Sequence, residues 1–174
     1  MSEPRILIAG IGNIFLGDDA FGTEVARRLA GHPLPEGARV IDFGIRGLDL
    51  TYALLDGYDA AILIDATPRG GAPGTLYVIE PSPGDQAATD QLIDAHGMGP
   101  VKVLQLATAL GATTGRLLLV GCEPATLGTE EDPVMGLSPP VEAAIPEAIR
   151  LIESLVKSLL ADRGEPSTRA NLAS

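Results

Sequence analysis

The run Ala60-Ala-Ile-Leu-Ile-Asp65 is apolar without interruption until its final acid. A half-exposed strand would alternate polar and apolar residues, so a run of this kind belongs to a strand covered on both faces. It therefore demands a sheet with helices on either side, and the remaining chain provides them. Ile6-Leu-Ile-Ala9 reads as a second short buried strand. A glycine-rich loop follows from Gly10 to Gly17, and then Phe21, Val25 and Leu29 recur at helical spacing. In such strand–loop–helix units the loop faces whatever the protein binds.

The other elements fall in order. Gly31-His-Pro-Leu-Pro-Glu-Gly37 is a turn-rich connection, and Ala38 to Phe43 is a strand carrying Asp42 at its end. Leu48, Tyr52 and Leu55 share one face of a short helix spanning Leu48 to Leu55. The link from Ala66 to Gly74 holds Pro68, Gly70, Gly71, Pro73 and Gly74, which leaves no room for a crossover helix. The strand Thr75–Ile79 is therefore expected to run antiparallel to its neighbours. Val101 to Leu110 is helical and Arg116 to Cys122 is the fifth strand. A long loop, Glu123 to Leu137, has the length of a working surface. Ser138 is an N-cap with Pro139 just inside the terminal helix, whose inner face carries Ile145, Ile149, Ile152, Leu155, Val156 and Leu159. Pro146 should kink this helix or delay its start. The sum is a single α/β domain over residues 1–162, a three-layer α/β/α sandwich with a five-stranded, mostly parallel sheet. Residues 163–174 are expected to form a disordered tail.

Composition narrows the function. A formal net charge of -11 among 174 residues argues against a nucleic-acid partner, because neutralising phosphates needs clustered Lys and Arg. No apolar run is long enough to span a bilayer, nothing resembles a signal peptide, and the lone Cys122 excludes an internal disulfide. These features lead to the expectation of a cytoplasmic protein. No G-x-S-x-G elbow is present to support serine-hydrolase chemistry.

Three acids, Asp19, Asp42 and Asp65, fall just past the first three strands, the edge where open α/β sheets bind ligands. Phosphate loops place glycines and a lysine at the first helix start, whereas this chain places Asp18 and Asp19 there. Two carboxylates at that point repel a phosphate and suit a cation. One acid suffices to cap the helix, so one of the pair is assigned to the helix and the other is free for a ligand. Asp65 is either satisfied by loop N–H groups or engaged by a ligand. Asp42 has the same two readings, and a third as the ribose-binding acid of a dinucleotide fold. His96 lies between small residues before the later helix and is the natural third ligand. Two carboxylates and an imidazole suit a divalent ion such as zinc or nickel. Cys122 reads as a small buried hydrophobe, and His32 as a partner for a helix end or for solvent.

The segment Gly10-Ile-Gly-Asn-Ile-Phe-Leu-Gly-Asp-Asp-Ala-Phe-Gly22 resembles the N-terminal signature of the nickel–iron hydrogenase maturation endopeptidases. The likeness continues through Asp42–Leu48, Ile64–Thr67, Pro73–Thr75, His96–Gly99, Val120–Pro124 and Gly136–Ser138, in family order over most of the chain. It implies a peptidase that removes a C-terminal extension from the precursor of the hydrogenase large subunit once nickel is inserted. It also implies that Asp19, Asp65 and His96 contact the metal, which leaves Asp18 to the helix, with nickel supplied by the precursor, and that Asp42 is the glycine-flanked acid after the second strand. The first acid is often Glu in relatives, so Asp19 is a shorter variant. The implied sheet order is two-one-three-five-four. Two other readings are a nucleotide-binding α/β domain and a metal-binding maturation chaperone that does not cut. Against the former, Phe15 stands where the dinucleotide fingerprint needs a small residue.

Overall fold

The computed structural model describes residues 5–80, 100–112 and 115–162, with Pro100 and Val101 described in backbone only. Its strands are β1 (Ile6–Ile11), β2 (Ala38–Gly44), β3 (Ala60–Ala66), β4 (Leu76–Ile79) and β5 (Arg116–Cys122). Its helices are α1 (Phe21–Leu29), α2 (Gly47–Leu54), α3 (Pro100–Ala109) and α4 (Pro139–Ala161), with a single 3-10 turn at Asp18–Ala20 before α1. The sheet order is β2-β1-β3-β5-β4. β1, β2, β3 and β5 are mutually parallel, and β4 pairs antiparallel with β5. The short Pro/Gly link ahead of β4 does what its length requires.

Strand alternation divides the core into two layers. Ile6, Ile8, Ile62, Ile64, Leu118 and Val120 point to one face and meet Phe21, Val25 and Leu29 of α1 and the inner stripe of α4. Leu7, Ala9, Ala61, Leu63 and Leu119 point to the other face and meet Leu50 and Leu54 of α2 with Val103 and Ala107 of α3. β1 and β3 are buried along nearly their whole length. Their continuous apolar runs are thus explained by helices on both sides.

Two local expectations need correction. On α2 the buried residues are Leu50, Thr51 and Leu54, while Leu48 and Tyr52 are exposed. Both stripes have helical spacing, and the sheet face selects the more compact Leu50/Leu54 pair. Pro146 does not delay α4, which starts at Pro139 and contains Pro146 in its interior. Pro146 sits on the exposed side, where the carbonyl freed by its missing N–H can bond water.

Helix α1 lies unusually close to the sheet, and Gly22 allows it. A Cβ at Gly22 would overlap the carbonyl oxygens of Ile64 and Ile11, and one at Gly10 would overlap that of Gly22. Gly10 of β1 and Gly22 of α1 therefore seat the helix directly on β1 and β3, and that seating fixes where the turn carrying Asp19 lies. The predicted disordered tail, 163–174, and the segment containing His96 lie outside the described residues.

Candidate active site

The carboxyl ends of β1, β2 and β3 open into a cavity of about 80 Å³. Asp19 and Asp65 both line it, together with Gly12, Asn13, Phe43 and Val103. They arrive from different elements: Asp19 from the 3-10 turn behind β1, Asp65 from the end of β3, and the parallel pairing of β1 with β3 brings the two together. One Asp19 oxygen accepts the Asn13 backbone N–H at 2.9 Å, which fixes the carboxylate against its own loop. Asp65 is only 6% exposed. Apolar walls around two carboxylates lower the local dielectric, so a cation entering there would be held more strongly than at the surface.

Asp42 stands beside this cavity and not in it. It lines a neighbouring groove of about 210 Å³ with Phe15, Thr23, Arg27 and Ile45, and the two hollows share Gly12, Asn13, Gly44 and Ile45. One Asp42 oxygen accepts the Gly44 N–H at 2.9 Å and the other faces the Arg27 guanidinium at 3.6 Å. The Asp42 carboxylate is therefore held in place yet still reachable from the groove. Among the described residues no three His, Cys, Asp or Glu side chains form a metal-binding group; the predicted third ligand, His96, lies outside them.

Asp18 departs from expectation. It is fully buried and makes no capping bond to the helix behind it. Its carboxylate reaches across to the Glu123–Leu137 loop, accepting the N–H groups of Ala125 and Thr126, each at 2.8 Å. It also accepts the Ser138 N–H at 2.7 Å and the Ser138 hydroxyl at 2.8 Å. Burial alone would raise this carboxyl, but the hydrogen bonds from Thr126, Ser138 and Ala125 outweigh it and hold the pKa below the ordinary value. Ser138 occupies the N-cap position of α4 as expected, but its hydroxyl serves Asp18 and not the helix. Backbone bonds reinforce the link: Gly17 N–H to Val134 O at 2.7 Å, Asp18 N–H to Thr126 O at 2.9 Å and Val134 N–H to Phe15 O at 2.9 Å. Gly17 permits this approach, with φ of 63° and no side chain to strike the Thr126 carbonyl. The long loop is thereby strapped to the residues that carry Asp19.

Glu123 is a second buried acid that sequence reasoning passed over. It accepts Arg69 N–H at 2.8 Å, Gly70 N–H at 3.0 Å and the Tyr77 hydroxyl at 2.9 Å, and so fastens the β3–β4 link onto β5. The signal was available: like Asp65, it is an acid at the carboxyl end of a buried strand. Beside it the Cys122 thiol is buried in the core, and burial with the nearby Asp18 and Glu123 charges pushes its pKa up to about 12. Such a thiol is not a nucleophile at neutral pH. His32 pairs with Glu153 of α4 at 3.0 Å, away from the site.

Comparison with known proteins agrees with this architecture. The hydrogenase maturation protease family model matches residues 23–155. The hydrogenase expression/formation protein HupM of Azotobacter chroococcum is 35% identical over 96% of this chain and 77% of its own. The hydrogenase 2 maturation protease of Escherichia coli is 32% identical over 85% of this chain and 88% of its own. The solved structure of the hydrogenase maturating endopeptidase HybD from E. coli superposes with a TM-score of 0.72 at 28% identity, covering 88% of this chain and 93% of that one. With this sheet order, these acids at its carboxyl edge and these relatives, the chain belongs to the hydrogenase maturation proteases and is a peptide-bond hydrolase.

Proposed function

We propose that this peptidase removes the C-terminal extension of the nickel-loaded precursor of a nickel–iron hydrogenase large subunit. The observation that carries the reading is the pairing of Asp19 and Asp65 in one cavity at the sheet's carboxyl end. Two carboxylates set in apolar walls form a cation site, and His96 would add the nitrogen donor that favours nickel over a hard ion. The nickel belongs to the substrate. Engaging it makes cleavage conditional on completed insertion.

In the reaction a water oxygen adds to the scissile carbonyl carbon, the C–N bond breaks, and the amine leaves with a proton. A Lewis-acidic ion held by Asp19 and Asp65 would supply polarisation of the carbonyl or activation of the water. Asp42, held by Gly44 and facing the adjoining groove, positions the peptide or the water. Arg27, its partner at 3.6 Å, is exposed and free to swing aside for substrate.

The test is mass spectrometry of the precursor after incubation with the enzyme. The nickel-loaded precursor should lose a C-terminal fragment and the nickel-free precursor should stay intact. Equal cleavage of both would overturn the checkpoint. Asp19→Ala, Asp65→Ala and His96→Ala should each slow processing by roughly 100-fold or more. Near-normal turnover in His96→Ala would remove it from the ligand set. Binding of precursor without any shortening would instead favour the non-cutting chaperone reading.

A further inference from the structure

Large exposed apolar side chains on a soluble protein are usually scattered. Here they are not. Among the described residues eight are exposed, and six of them, Phe15, Ile45, Leu48, Tyr52, Leu127 and Met135, belong to segments that line the acid-lined cavity or are bonded to its rim: the first loop, the start of α2, and the strapped loop that bridges to Leu16 and Gly17. Phe15 and Ile45 wall the groove that holds Asp42. Leu48 and Tyr52, four residues apart on one face of α2, continue the strip outward from Ile45. Leu127 and Met135 come from the strapped loop: Leu127 bridges to Gly17, and Val134, next to Met135, donates its N–H to the Phe15 carbonyl. Ile45 is 75% exposed and Met135 66%, an expensive display of apolar surface unless something covers it.

The charge beside this strip is one-sided. Between Leu127 and Met135 the loop carries Glu130, Glu131 and Asp132, all exposed, and no Lys or Arg occurs anywhere from Glu123 to Leu137. None of the three acids takes part in an ion pair among the described residues. By contrast, the charges beneath the strip are neutralised locally, Asp42 by Arg27 and Asp49 by Arg46.

We propose that this apolar strip with its acidic margin is the docking surface for the precursor, and that it takes an apolar segment of the precursor flanked by basic residues. The inference rests on the reading that a hydrogenase precursor is the substrate, and it adds which chemistry of that precursor is gripped. The apolar strip supplies binding energy next to the scissile bond, while the acidic loop steers encounter and sets register. Because the strip runs from the groove out along α2, the enzyme holds the precursor over a longer span than the cleaved bond alone.

The measurement is the affinity of purified precursor for the full-length enzyme by surface plasmon resonance, alongside KM and kcat for cleavage. Leu48→Ser/Tyr52→Ser/Met135→Ser should weaken binding by about tenfold or more, with the loss in Kd and KM and a smaller change in kcat. The control Val78→Ser/Leu110→Ser removes the two other large exposed apolar residues among those described, on β4 and just past α3, and should leave Kd within about twofold. Glu130→Lys/Glu131→Lys/Asp132→Lys should slow association and flatten its dependence on salt. Equal Kd for the strip variant and the control, with circular dichroism showing both folded, would overturn the docking surface. A wild-type enzyme that binds the precursor but never shortens it would strike the proposed reaction, while the strip variants would still decide the surface.

Discussion

The two ends of the sheet handle charge in opposite ways. At the carboxyl end, Asp18 and Glu123 are buried and held by backbone N–H groups of loops that approach from elsewhere in the chain. At the amino end, Arg116 sits between Glu80 and Asp162, at 2.9 Å from each, with all three side chains well exposed. There Arg5 also spends its N–H on Asp59 and its guanidinium on the Asp56 carbonyl and the Tyr58 ring. Exposed side-chain pairs are screened and interchangeable, whereas a buried carboxylate bonded to main chain is specific to one loop path. The difference separates what keeps this protein folded from what keeps its site assembled.

The largest effect should follow from Asp18→Ala. It would leave three backbone amides and a hydroxyl inside the protein without their acceptor, at about 3 kcal/mol in urea denaturation. It should also abolish processing, because the loop and Asp19 share one mount. A change under about 1 kcal/mol would place Asp18 with the amino-end pairs and break the comparison. Glu123→Gln keeps the shape but weakens charge-assisted bonds to Arg69, Gly70 and Tyr77, and should cost about 1–2 kcal/mol. Arg116→Met should cost less than about 1 kcal/mol and leave cleavage intact.

The acid dependence of that last pair sharpens the contrast. The Arg116 hydrogen bonds hold the Glu80 carboxyl below its ordinary value of 4.5. A carboxyl lowered on folding contributes stability that is fully present above the unfolded value and is lost as pH falls through the folded one. The wild-type advantage over Arg116→Met should therefore be small near neutrality and vanish in acid, as urea midpoints compared across the acid range will register. Smallest of all, Cys122 should resist iodoacetamide in the native enzyme near pH 8 and react once urea exposes it. Rapid native labelling would mean that the carboxyl-end core opens readily.

The fold was legible because its signals are periodic. The apolar runs at β1 and β3, the short link before β4 and the inner stripe of α4 each admit one arrangement, and the structure adopts it. The face of α2 was not legible, since Leu48/Tyr52 and Leu50/Leu54 have the same spacing and only the sheet distinguishes them. At the site, the meeting of Asp19 with Asp65 rests on the adjacency of β1 and β3, which no periodicity carried and which only the family resemblance implied. The partners of Asp18 were not legible. An Asp at a helix start looks like a cap, and its true partners, Ala125, Thr126 and Ser138, lie more than a hundred residues away and mostly offer backbone atoms that carry no sequence signature.

That anonymity makes the loop an exchangeable cassette. Asp18 grips main-chain donors at 125, 126 and 138, and only one of its four bonds depends on a side chain. The stretch from Leu127 to Met135 lies between those anchor points and is held there by backbone bonds, so its side chains can be rewritten except at Gly128, where a Cβ would strike the Val134 backbone. Loops grafted from proteases serving other hydrogenases, kept at equal length and ending in Ser138, should seat on the same socket and carry their client preference with them.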